Sequence, residues 1–146
     1  MYLVDPVQKV IGLSHSGWKG TVNRMGKAMV HAMGEAFGSK TEDLLVAIGP
    51  SICQDCYEVS EEVAAEFRSW LHPEEEWRVL RTCVKPGKYQ LDLWRANQII
   101  LQEAGIPEGN IEVTDICTCH NPEYLFSHRA SEGKRGNLAA VMMLKA

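Results

Sequence analysis

A chain of 146 residues, 45% of them hydrophobic and 23% charged, has the size and composition of a single soluble domain with a real core. Against 15 basic residues stand 19 acidic ones, and the net charge of −4 excludes both a nucleic-acid footprint and a polybasic patch for anionic lipid. No apolar run approaches the ~20 residues that span a bilayer, and no signal-peptide pattern opens the chain.

Five cysteines make an odd count without the spacing of a small disulfide scaffold, so they read as reduced thiols in a cytoplasmic protein. In chain order, Met1-Tyr2-Leu3-Val4 is already strand-like and Asp5-Pro6 is a turn signal. That start resembles a chain cut inside an element. Val10–Leu13 is the next strand. A helix is expected from Thr21 to Phe37, with Val22, Met25, Met29, Met33, Ala36 and Phe37 on one face and Gly38 as its stop.

Leu44–Ile48 reads as a buried strand ended by Gly49-Pro50, and Ser51–Tyr57 as a loop. A second amphipathic helix is expected over Ser60–Leu71, followed by a solvated connection at Pro73 and Glu74-Glu75-Glu76. Val79–Val84 is a short strand and Pro86-Gly87 a turn. Asp92 is placed to cap a third helix that runs to Ala104 and stops at Gly105. Ile111–Ile116, Glu123–Ser127 and Leu138–Leu144 complete the strands, with a polar loop from Ala130 to Asn137. Strands alternating with helices, then two strands in succession, indicate an α/β or α+β sandwich with a mixed sheet.

Three clusters carry candidate chemistry. In Ser14-His15-Ser16-Gly17-Trp18-Lys19-Gly20-Thr21 a strand exits into a helix through glycines, so backbone N–H groups and Lys19 present positive charge to an anion. The phosphate-loop spacing is absent. His15 at the strand end suits a metal ligand, a proton shuttle or a plain structural histidine. The second cluster pairs Cys53 and Cys56 with Cys117 and Cys119, which His120 follows; two short pairs can close a tetrahedral zinc site. The single residue between Cys117 and Cys119 is tight for a zinc knuckle, and Cys83 stands alone as a small hydrophobe. The third cluster is Phe126-Ser127-His128-Arg129 with Gly133-Lys134-Arg135-Gly136. Arg129 there suits a two-pronged hydrogen bond to phosphate or carboxylate, whereas Lys134 and Arg135 fit a solvated loop.

The ordered blocks SHSGWKGT, IGPSICQDCYEV, LDLWRANQIILQEAGI and CTCHNPEYLFSHRASEGKRGNLAAVMML resemble the successive blocks of the laccase-domain, or polyphenol oxidase, family. The resemblance runs over nearly the whole chain. It implies a layered α/β/β/α sandwich and one laccase-like domain lacking its N-terminal segment. It also implies a purine nucleoside phosphorylase that converts adenosine, inosine and methylthioadenosine to free base and ribose 1-phosphate, with adenosine deaminase activity. The implied cofactor is zinc, with copper as the family's older association. Of the family's three ligands, only His15 has a counterpart here; the other histidine and the cysteine would lie upstream of Met1. One leg of three implies weak zinc binding and little turnover by this chain alone, unless the cysteine pairs hold the metal.

The resemblance further implies that Lys19 and Arg129 contact phosphate or ribose and that Trp18 or Tyr57 stacks on the purine. His128, Cys53 and Cys119 depart from the family pattern. Three other readings stand beside it: a copper-dependent polyphenol oxidase, a hydrolase with Cys56 or Cys117 as nucleophile beside a histidine, and a truncated structural module. Five scattered histidines do not furnish a multicopper centre.

Overall fold

The computed structural model describes residues 1–134 and 136–145, an α/β chain with two sheets and five α-helices. It divides into two compact units. The first comprises Met1–Gly49, Asn97–Thr114 and Ala139–Ala146, and the second Pro50–Ala96 and Asp115–Leu138.

The first unit is built on a four-stranded mixed sheet in the order β2-β1-β3-β7. Its strands are β1 (Tyr2–Asp5), β2 (Val10–Leu13), β3 (Leu45–Ile48) and β7 (Ile111–Val113). β1 pairs antiparallel with β2 and with β3, whereas β3 pairs parallel with β7, Val46 facing Ile111. Parallel pairing of β7 is therefore what mixes the sheet. Alternation puts Leu3, Asp5, Val46 and Ile48 on buried positions. The β1–β2 turn is tied by Asp5, whose Oδ1 accepts the N–H groups of Val7 and Gln8, each at 2.9 Å.

The single helix expected from Thr21 is two. α1 (Trp18–Val22) ends at Asn23, and α2 (Met25–Phe37) starts after Arg24, whose φ of 58° is left-handed. Arg24 in that conformation breaks the hydrogen-bond ladder and re-aims the chain. The stripe that α2 buries is Gly26, Val30 and Met33, while Phe37 stays half exposed. Gly26 makes room for a close approach of α5 (Leu93–Glu103): a Cβ there would meet Leu101 Cδ2 at 3.3 Å and Ile100 Cγ2 at 3.4 Å. Gly38 ends α2 in the left-handed conformation, as its position suggested.

The second unit holds an antiparallel sheet in the order β4-β6-β5, formed by β4 (Glu58–Ser60), β5 (Leu80–Thr82) and β6 (Lys88–Leu91). β4 and β6 are not expected from the sequence. They are short and half-buried, and their residues alternate too weakly to register as strands on their own. α3 (Glu61–Arg68) covers part of the Ser60–Leu71 segment, and its Ala64 and Phe67 are fully buried. The expected solvated connection is instead α4 (Pro73–Val79). Proline at the first helical turn followed by three glutamates is a favourable helix start, and it outweighs the polarity of the run. Arg68 ties the two helices, with Nη1 on Glu61 at 2.5 Å and Nε on Glu76 at 2.8 Å.

Asp92 caps α5 through an N–H bond from Arg95 at 2.8 Å, and Gly105, at φ 95°, follows its end. Glu123–Ser127 forms turns rather than a strand, and Leu138–Leu144 makes no ladder with any described residue. Val141 and Met143 are 83% and 78% exposed. Branched, apolar residues favour an extended chain, but a strand exists only through a hydrogen-bonding neighbour.

Candidate functional site

His15 leaves the end of β2 with its ring exposed, between main-chain and buried anchors. The Ser14 amide donates to the Met1 carbonyl at 3.0 Å, and the Met1 ammonium to the Ser14 carbonyl at 2.7 Å. Beyond the ring, Ser16 donates to Asn97 Oδ1 at 3.2 Å, and Asn97 Nδ2 donates to Thr21 Oγ1 at 3.1 Å. Thr21 in turn donates to the Gly17 carbonyl at 3.0 Å. Thr21 and Asn97 are buried, so this network fixes the backbone on both sides of Gly17. Ser16, Thr21 and Asn97 carry no functional expectation from sequence; small polar residues close to a candidate histidine mark Ser16 and Thr21, whereas nothing local marks Asn97.

The glycines serve space rather than a sharp bend. Gly17 is extended at φ −75° and ψ −174°, and a Cβ on it would stand 3.3 Å from His15 Nε2. Gly20 lies within α1, facing the Ser16 hydroxyl. α1 has only five residues, so the helix dipole expected behind a long helix shrinks to that of one turn. What remains as positive charge is the exposed Lys19 ammonium, 5.5 Å from the Trp18 ring centroid.

In the second unit, Tyr57 and Arg129 meet. The Arg129 guanidinium lies 5.6 Å from the Tyr57 ring centroid, and its Nη2 donates to the Glu58 carbonyl at 3.0 Å. Burial pushes the Tyr57 phenol above its ordinary value, against the opposing charge of Arg129, so the ring is neutral at physiological pH. Ser127 is buried and accepts the Ala130 N–H at 3.3 Å, shaping the turn that presents Arg129. Arg135 lies outside the described residues.

The metal-capable group of the described residues is Cys53, Cys56, Cys117 and His120, whose ligand atoms all lie within 4.8 Å of one another. Cys119, expected as the fourth ligand, is replaced by His120. Cys119 is not one of the four, although its thiol lies within reach of Cys56. The short turn Gln54–Cys56 places Cys53 and Cys56 together, and a parallel bridge between Ser51 and Cys117 sets the second loop beside the first. Cys56 Sγ is 3.1 Å from His120 Nε2. That is also the spacing of a nucleophile–base pair, but burial and then the Cys53 and Cys119 thiols push Cys56 far above an ordinary thiol, opposite to an activated thiolate.

No group of three metal-ligating side chains among the described residues includes His15, so these residues by themselves do not complete a catalytic metal seat. Nor do they fit a multicopper centre, because the one cluster contains a single imidazole among three thiols.

Compared with known proteins, the chain matches over residues 1–145 the family described as multi-copper polyphenol oxidoreductase laccase. It belongs to that family. It is 35% identical to purine nucleoside phosphorylase YlmD of Bacillus subtilis (strain 168), over 99% of this chain and 51% of the relative. It is 38% identical to adenosine deaminase RL5 from an unknown prokaryotic organism, over 87% of this chain and 48% of the relative. Among solved structures, YlmD from Geobacillus stearothermophilus superposes with a TM-score of 0.84 at 37% identity, covering 92% of this chain and 49% of that one. The chain spans about half the length of the curated relatives it matches.

The expected α/β class and family hold. Among the described residues no helix is long and apolar enough to cross a membrane.

Proposed function

We propose that the chain supplies part of the site of a purine nucleoside phosphorylase that also deaminates adenosine. The observation that supports this reading best is the exposed His15 ring at the exit of β2, held by the network of Ser16 with the buried Thr21 and Asn97. In this reading His15 is one metal ligand of the whole protein and the residue on which both reactions depend. Zinc held by a complete ligand set supplies an acidic bound water and a Lewis acid.

The work of the chain's own residues is electrostatic and positional. Phosphorolysis requires a phosphate oxygen to form a bond to the ribose C1′ while the bond from C1′ to the purine nitrogen breaks and its electron pair leaves with the base. Lys19 and Arg129 are the phosphate or ribose contacts: both are fixed cations, and each lies beside an aromatic face in its own unit. Trp18 or Tyr57 is the purine-stacking face, Tyr57 being neutral and half-buried. The substrates are small nucleosides and inorganic phosphate, with no call on nucleic acid or a membrane. Both units belong to one laccase-like domain, and five free cysteines fit a cytoplasmic setting.

The test is substitution in the active, full-length protein. His15→Ala is expected to abolish both phosphorolysis and deamination, while Lys19→Ala raises the KM for phosphate and leaves deamination unchanged. Full turnover by the His15→Ala protein would overturn the reading.

A further inference from the structure

Three thiols and an imidazole converge in the second unit at a place that the nucleoside reading does not use. We propose that Cys53, Cys56, Cys117 and His120 form a tetrahedral site for a thiophilic divalent cation, zinc, which pins the 50–57 loop to the 115–121 loop. This site is separate from His15 and does not rest on the nucleoside reading.

The donor set is that of a closed structural centre, since three sulfurs and one imidazole leave no position for water or substrate. Soft sulfur ligands select zinc over hard cations such as magnesium or calcium. A tetrahedron with metal–sulfur bonds of about 2.3 Å has edges of about 3.8 Å. The four ligand atoms, spread over at most 4.8 Å, reach that size by side-chain movements of about an ångström.

The backbone is already arranged to receive the ion. Ser51 N–H donates to the Ile116 carbonyl at 3.2 Å and Thr118 N–H to the Ser51 carbonyl at 3.0 Å, so main-chain bonds align the loops. Cys56 N–H closes on the Cys53 carbonyl at 3.2 Å, turning both thiols to one side. The Cys53 N–H points at Cys117 Sγ at 3.3 Å, the kind of bond that orients a ligating sulfur. Asn121 binds the Cys117 carbonyl through its backbone N–H at 3.2 Å and through Nδ2 at 2.8 Å, fixing the turn that returns His120.

The consequence reaches Tyr57 and Glu58, which follow Cys56 directly and carry Arg129 on the ring and carbonyl. A metal that holds Cys56 also holds the residue on which Arg129 stacks.

The experiment is metal analysis of the chain purified under reducing conditions, with cobalt substitution as a second readout on the unaltered protein. Expected is stoichiometric zinc that survives dialysis, and after exchange a cobalt spectrum with tetrahedral visible bands and sulfur-to-cobalt charge transfer. Cys56→Ser and His120→Ala lose the metal at least tenfold, whereas Cys119→Ser and His15→Ala keep it. A folded, metal-free chain with all thiols titratable would overturn the proposal, as would a disulfide within the cluster. Metal lost in His15→Ala but kept in His120→Ala would overturn it too. The cobalt spectrum decides the question even where a variant fails to fold.

Discussion

Asn97 reaches from α5 to donate to the Thr21 hydroxyl at 3.1 Å, and both residues are buried. A side chain from late in the chain thus sets the conformation of the segment that bears His15. Removing Asn97 takes one partner from the buried Thr21 hydroxyl and one from the half-buried Ser16 hydroxyl. Asn97→Ala is expected to destabilise the fold by about 1–3 kcal/mol, measured by denaturant unfolding. An unchanged midpoint would show that the network is not structural.

Gly49 lies where no side chain fits. A Cβ at this position would stand 2.7 Å from Cε2 of Tyr2, so the ring must move or β1 must shift. Gly49→Ala is expected to cost about 1–3 kcal/mol by overpacking, and pairing it with Tyr2→Ala should recover part of that loss. Thermal unfolding of both proteins checks the coupling.

Asp5 gives a pH signature. Ser39, the Gln8 amide and the Val7 amide hold its carboxyl below the ordinary value of 3.8, against the opposing effect of burial. A folded value lower than the unfolded one means that the ionised carboxylate stabilises the fold above pH 3.8. That contribution disappears as the pH falls through the folded value. Asp5→Asn should therefore be less stable than the parent near neutrality, with the difference shrinking in acid. A difference that grew as the pH fell would contradict the sign.

Arg129 stacks on Tyr57 and donates to the Glu58 carbonyl, a geometry that needs a planar guanidinium. In the active protein Arg129→Lys is expected to lower kcat/KM for phosphorolysis by about tenfold, corresponding to about 1.4 kcal/mol. Wild-type kinetics from that variant would remove Arg129 from the site.

Much of the first sheet was legible because its strands are short, branched and bounded by Asp5-Pro6 and Gly49-Pro50, and the α5 cap at Asp92 is a local signal. The break at Arg24 was not, since nothing in its neighbours demands a left-handed residue. β4 and β6 depend on partners distant in sequence, and α4 hides behind a charged run. At the site, His15, Lys19, Tyr57 and Arg129 stood out as residue types, but the Asn97 tether did not, because its meaning lies in packing. The cysteine pairs were visible as a possible metal site, and only the fold replaces Cys119 with His120.

Product analysis decides whether the protein cleaves nucleosides with phosphate. The full-length protein is incubated with adenosine or inosine, with and without inorganic phosphate. Free purine base and ribose 1-phosphate are expected in equal amounts, dependent on phosphate and with no dioxygen consumed. Base release that ignores phosphate, or phenol oxidation with dioxygen uptake and no nucleoside cleavage, would contradict it.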